Sequence, residues 1–134
     1  MYCGDILMNI PLFSVPVKAG FPSPAEDYLE KNLNLNQFLI PRPTATFFVR
    51  VDGSSMKDAG IYHDDILIVD KSLEPQNGKI VIAVINGEFT VKKIRLIDEK
   101  IYLDPANPQF SPIEIQPDWD FRIWGVVTYV IHKC

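Results

Sequence analysis

Histidine is scarce in this chain: 134 residues contain only His63 and His132, far apart and without metal-ligand spacing. That argues against a zinc site, and neither histidine is placed to propose a conventional serine triad. His63, in the polar turn Tyr62-His63-Asp64-Asp65, reads as a solvated turn residue. Cysteine is equally rare. Cys3 and Cys134 stand near opposite ends and outside any CxxC pair, so reduced thiols in a cytoplasmic protein are expected rather than a disulfide framework. Neither GxGxxG nor GxxxxGKS occurs, which excludes nucleotide binding through those loops. No apolar run approaches the roughly 18 residues of a membrane span. The first residues also lack a basic stretch followed by an apolar core, so neither an anchor nor a signal peptide is expected. The net charge is −4, and the largest basic cluster is Lys92-Lys93-Ile94-Arg95. Direct sequence-specific DNA binding is therefore not expected.

What is present is apolar residue in quantity, 47% of the chain, enough for one core but not two. The pattern divides the sequence. Residues 1–36 mix apolar side chains with Pro11, Pro16, Gly20, Pro22 and Pro24 and read as an extended arm. Within it Ser23, Pro24 and Glu26 have the spacing of a capping box, which predicts a short helix over residues 24–33. Residues 37–134 form the second part, with short β-rich runs over 44–51, 65–69 and 79–85. Asn86-Gly87 then predicts a hairpin into a return strand over 88–97. Short candidates over 100–103 and 113–115 and a long closing strand over 121–131 complete a small, mostly antiparallel β domain.

One segment could carry chemistry. Gly53-Ser54-Ser55-Met56 follows a strand and precedes a single helical turn ending at Gly60. A serine there has an exposed hydroxyl and nearby backbone N–H groups, but on this fragment alone the favoured reading is that Ser54 or Ser55 merely caps the turn. A serine nucleophile without histidine needs a lysine that is neutral near working pH, hence desolvated. Alternation along 89–94 puts Lys92 on one face with Thr90, Ile94 and Leu96, and Lys93 with Val91 and Arg95. The first face is better suited to burial, although a solvated strand face remains open for both lysines.

Three segments taken together resemble the UmuD type within the LexA-like family of self-cleaving Ser/Lys proteases (peptidase S24). They are 20–25 (GFPSPA), 53–56 (GSSM) and 87–93 (GEFTVKK), in that order and at similar spacing, supported by 65–70 (DILIVD) and 124–127 (WGVV). The resemblance implies a mostly β fold: a small twisted antiparallel β domain of the LexA C-terminal and signal-peptidase type, with an N-terminal arm and one short helix. It implies Ser55 as nucleophile, Lys92 as general base, the backbone N–H groups of Ser54 and Ser55 for the oxyanion, and Ala19-Gly20 as the scissile bond. Ser54 departs from the family, whose members commonly carry an acidic residue there. The upstream segment differs as well.

The resemblance implies no cofactor. It does imply a homodimer, cleavage stimulated by RecA filaments on single-stranded DNA, and a trimmed form (residues 20–134) that joins a Y-family DNA polymerase of the UmuC type in translesion synthesis. The 19 residues before the scissile bond are too few for the helix-turn-helix domain of family repressors. A missing anchor separates the chain from signal peptidases. A non-catalytic scaffold with a vestigial dyad and a regulator that binds DNA through a partner are the alternatives.

Overall fold

In the computed structural model, residues 10–13, 17–22 and 29–134 are described, and they form two compact units, Met1–Pro41 and Arg42–Cys134. In the first unit, β1 (Ile10–Phe13) pairs antiparallel with β2 (Leu29–Leu33), and a five-residue helix α1 (Leu35–Leu39) follows. The helix expected over 24–33 is not found over 29–33. Its last five residues are strand, and its capping box at Ser23, Pro24 and Glu26 lies outside the described residues. A local window cannot see the reason: residues 10–13 supply a ladder of backbone partners, and tertiary pairing outweighs a few tenths of a kcal/mol of helix propensity per residue. The real helix begins after Asn34, whose side chain accepts the Gln37 N–H at 3.3 Å, a capping geometry that the pattern Asn34-Leu35-Asn36-Gln37 also encodes.

The second unit is one seven-stranded antiparallel sheet. Its strands are β3 (Thr46–Arg50), β4 (Ile66–Asp70), β5 (Ile80–Ile85), β6 (Glu88–Ile97), β7 (Lys100–Asp104), β8 (Ile113–Glu114) and β9 (Phe121–Ile131). Their spatial order is β3-β4-β9-β5-β6-β7-β8. The hairpin turn is where the sequence puts it: Asn86 and Gly87 both have positive φ, 51° and 84°, which the tight two-residue connection requires. The long β9 inserts between β4 and β5, so the chain's last strand ties its two halves together.

Both faces of the sheet carry a core. Val51, Met56, Ile61, Leu67, Val69 and Ile82 form one cluster, and Val81, Ala83, Ile94, Leu103 and Val126 the other. This explains why β5 reads as an unbroken apolar run, Ile-Val-Ile-Ala-Val-Ile, rather than alternating with polar residues: successive side chains enter opposite cores. Met56 and Ile61 belong to the loop after β3, with 1% and 0% exposure, so that loop is plugged into the core on both sides of its short 3₁₀ turn (Lys57–Ala59). Among the described residues no helix is long and apolar enough to cross a membrane.

Candidate active site

The site grows out of the loop that Met56 anchors. Gly53 takes a left-handed φ of 97°, which its missing Cβ permits, and Ser55 follows just ahead of the buried methionine. The expected capping role for a serine is not seen. The 3₁₀ turn has Met56 at its N-cap position, with no side-chain cap bond. Instead the Ser55 hydroxyl oxygen lies 3.0 Å from Lys92 Nζ and accepts its hydrogen bond.

Lys92 sits mid-strand in β6, on the inward face with Ile94, and is 8% exposed, whereas its neighbour Lys93 is exposed. Period-two alternation therefore separates the two lysines as the sequence predicts, except that Leu96 on the same face lies near the strand end and is exposed. The buried amine also donates to Thr90 Oγ1 at 2.9 Å and to the Val91 carbonyl at 3.1 Å. Burial pushes its pKa below the ordinary 10.5, because the charged form loses more hydration than the neutral one. Among the described residues no carboxylate pairs with Lys92 to offset that effect. Three acceptors fix the amine's position, and burial leaves it closer to deprotonation than a surface lysine.

Ser55 and Lys92 line a cleft of about 480 Å³. Its walls are mixed: Val51, Leu67, Ile82 and Trp124 are apolar, while Arg50 and Thr90 are polar. On a flat sheet, β3 and β6 stand four strand spacings apart, roughly 19 Å at about 4.8 Å each. The aromatic cluster shows how that gap closes. Phe47 of β3 and Phe89 of β6 approach Trp124 of β9 at centroid distances of 5.2 and 5.8 Å, so the sheet curls and brings β3 and β6 toward one side. Lys71 Nζ lies 4.8 Å from the Trp124 ring and 5.5 Å from Phe47, within cation–π range of both.

The serine turn is held from two sides. Gly53 N–H donates to His63 Nδ1 at 3.1 Å, so His63, although exposed, is a contact of this turn and not merely a solvated residue. From the other side, Ala106 N–H donates to the Ser55 carbonyl at 2.8 Å and Asn107 Nδ2 to the Ser54 carbonyl at 2.9 Å. Thr90 and Asn107 are the polar groups that sequence reasoning did not single out. Thr90 stood on the Lys92 face, two residues away, and a hydroxyl at i−2 on a buried lysine's strand was the available signal. Asn107 carried none beyond a turn-forming Asn-Pro pair.

Ala19 and Gly20 lie in the first unit, in the chain that connects β1 to β2, and both are exposed. The flanking Val17 and Phe21 are each 91% exposed. Among the described residues no group of three or more His, Cys, Asp or Glu is placed to hold a metal ion. His132 instead pairs with buried Asp65 at 2.6 Å.

The peptidase S24-like family model matches residues 11–128 of this chain. Protein ImpA of Salmonella typhimurium is 49% identical over 132 residues, covering 97% of this chain and 88% of that protein. Protein MucA of Escherichia coli is 45% identical over 122 residues, 90% of this chain and 83% of that one. The LexA repressor of Pseudomonas chlororaphis is 40% identical over 118 residues, 87% of this chain but 58% of the longer relative.

Proposed function

The chain belongs to the peptidase S24-like family, and from that premise we propose that it is a self-cleaving serine endopeptidase that cuts its own Ala19-Gly20 bond. The observation that carries this reading is the 3.0 Å contact between Ser55 Oγ and a buried Lys92 whose pKa is lowered by desolvation. Neutral Lys92 takes the Ser55 proton as the oxygen attacks the Ala19 carbonyl carbon. The resulting oxyanion is held by backbone N–H groups at Ser54 and Ser55. Collapse breaks the Ala19–Gly20 bond, and the Gly20 amine leaves with the proton from Lys92. Water then attacks the acyl-enzyme, again deprotonated by Lys92, and frees the Ala19 carboxylate and Ser55. The exposure of Ala19 and Gly20 suits a bond that a protease must grip as extended chain, and small residues on both sides suit a narrow cleft.

The biological setting follows from the resemblance to UmuD-type proteins. The chain acts in the cytoplasm as a homodimer in the DNA-damage (SOS) response. RecA filaments on single-stranded DNA stimulate its cleavage, and residues 20–134 serve a UmuC-type Y-family polymerase as accessory subunit in error-prone translesion synthesis. Neither a cofactor nor direct sequence-specific DNA binding is part of this reading.

Incubation of the purified chain, followed by intact mass, tests the chemistry. Cleavage at Ala19-Gly20 is expected to vanish in Ser55→Ala and Lys92→Ala and to survive in Ser54→Ala. A chain that stays whole when alkaline, warm and supplied with RecA filaments would make the β domain a binding module without protease activity.

A further inference from the structure

Asn107 is 5% exposed although it lies in a loop, the Pro105-Ala106-Asn107-Pro108 segment that follows β7. A buried carboxamide carries two N–H donors and an acceptor oxygen that must be satisfied. Its Oδ1 accepts from Gln109 N–H at 3.0 Å, and its own carbonyl accepts from Phe110 N–H at 3.0 Å, so a local turn locks the side chain. Its Nδ2 then reaches 53 residues back to the Ser54 carbonyl. Next to it, Ala106 donates to the Ser55 carbonyl and accepts from Asp58 N–H at 2.7 Å. Two consecutive carbonyls of the serine turn are therefore held by two consecutive residues of one loop, and the Ser54 carbonyl also accepts from Lys57 N–H at 3.2 Å.

The consequence lies in the peptide bond itself. In a planar trans peptide the C=O and the following N–H point in opposite directions. The carbonyl that Asn107 holds and the N–H of Ser55 belong to the same peptide plane. Drawing the Ser54 oxygen toward buried Asn107 turns the Ser55 N–H away from Asn107. A hydrogen bond at the oxygen also polarises the amide and strengthens its N–H as a donor.

We propose that Asn107 is a positioning residue that aims the Ser55 amide into the cleft as the oxyanion donor. This rests on the self-cleavage reading and assigns it a residue outside the Ser55/Lys92 pair. Asn107 touches no reacting atom; it acts through one peptide plane. Removing an oxyanion donor outright costs about 10²–10³ in rate, so loss of its aim should cost roughly 10- to 100-fold.

The test compares the unmodified chain with Asn107→Ala and Asn107→Leu, the latter keeping the side-chain volume but losing the donor. Self-cleavage is followed by intact mass from neutral to alkaline pH, at temperatures where thermal melts show each chain folded. Both variants should cleave roughly 10- to 100-fold more slowly at the plateau, with the midpoint of the pH profile unchanged, because Lys92 keeps its surroundings. An unchanged plateau overturns the proposal, and so does a shifted midpoint, which would mean that Asn107 acts through the lysine. A second measurement needs no variant. A peptidyl boronic acid ending in alanine would form a tetrahedral adduct on Ser55, and the Ser55 amide and Asn107 side-chain signals should move together in ¹⁵N–¹H spectra. A Ser55 amide that does not respond overturns the proposal. If the unmodified chain never cleaves, or cleaves equally well as Ser55→Ala, it is the protease reading that falls, and this inference falls with it.

Discussion

Lys92 Nζ donates to Ser55 Oγ at 3.0 Å across 37 residues of chain, and the lysine reaches that point from inside the fold, 8% exposed. Its burial gives the amine a lowered pKa and a cost to folding, and the two aspects give different measurements.

Burial lowers the Lys92 pKa below 10.5, so the neutral fraction at a given pH exceeds that of a surface lysine. The self-cleavage rate should rise about tenfold per pH unit below that pKa and level off above it. A plateau that begins below pH 10.5, absent in Lys92→Ala, is the expected profile. The stability consequence has a definite sign. Between its folded pKa and 10.5 the lysine binds fewer protons folded than unfolded, so this group's contribution to stability rises with pH across that window. Denaturant titrations of unmodified and Lys92→Met chains should converge toward alkaline pH. Divergence would contradict the lowered value.

Thr90 accepts from Lys92 at 2.9 Å and lines the same cleft. Thr90→Val keeps the shape and removes the acceptor. Loss of one of three anchors on the amine should slow cleavage by up to about a hundredfold while leaving the melting temperature nearly unchanged. A rate equal to that of the unmodified chain would mean that Ser55 and the Val91 carbonyl position the amine unaided.

Gly125 in β9 has no room for a side chain. A Cβ there would lie 2.5 Å from Val69 Cγ1, and Val69 is fully buried and cannot swing away. Gly125→Ala should therefore destabilise by about 1–3 kcal/mol, seen as a lower urea midpoint at constant slope. Because Trp124 precedes it on the cleft wall, cleavage should slow as well.

Asp70 is 2% exposed. Burial alone would raise its pKa, but the hydroxyl and N–H of Ser72 and the Arg42 guanidinium outweigh that effect and hold it below 3.8. A carboxyl with a depressed folded pKa adds stability above 3.8 that is lost as pH falls through the folded value. Asp70→Asn should cost about 1.5–3 kcal/mol at neutral pH, the range for hydrogen bonds to charged groups. It should also flatten the acid limb of the stability curve. An unaltered acid limb would shift the acid sensitivity to Asp65, which is likewise lowered, with Tyr62 N–H and His132 outweighing burial.

Every strand of the sheet is legible in the residue order to within a few positions, because each is written in local chemistry. Asn86-Gly87 forces the hairpin, alternation on β6 separates Lys92 from Lys93, and the unbroken apolar run of β5 marks a strand buried on both sides. The serine turn was legible as well, although its residues alone favoured a capping role and only the resemblance singled out Ser55. What the tertiary structure decided depends on partners distant in the chain. Residues 29–33 are strand because residues 10–13 pair with them, and no window around a capping box contains that fact. Lys92 meets Ser55 only because β9 enters the middle of the sheet and the sheet curls around Trp124. Asn107 is buried against Ser54 only once β7 has carried its loop back to the serine turn. Local residue order specifies local structure through dihedral and burial preferences, whereas a site assembled from four separate segments exists only after the sheet has closed.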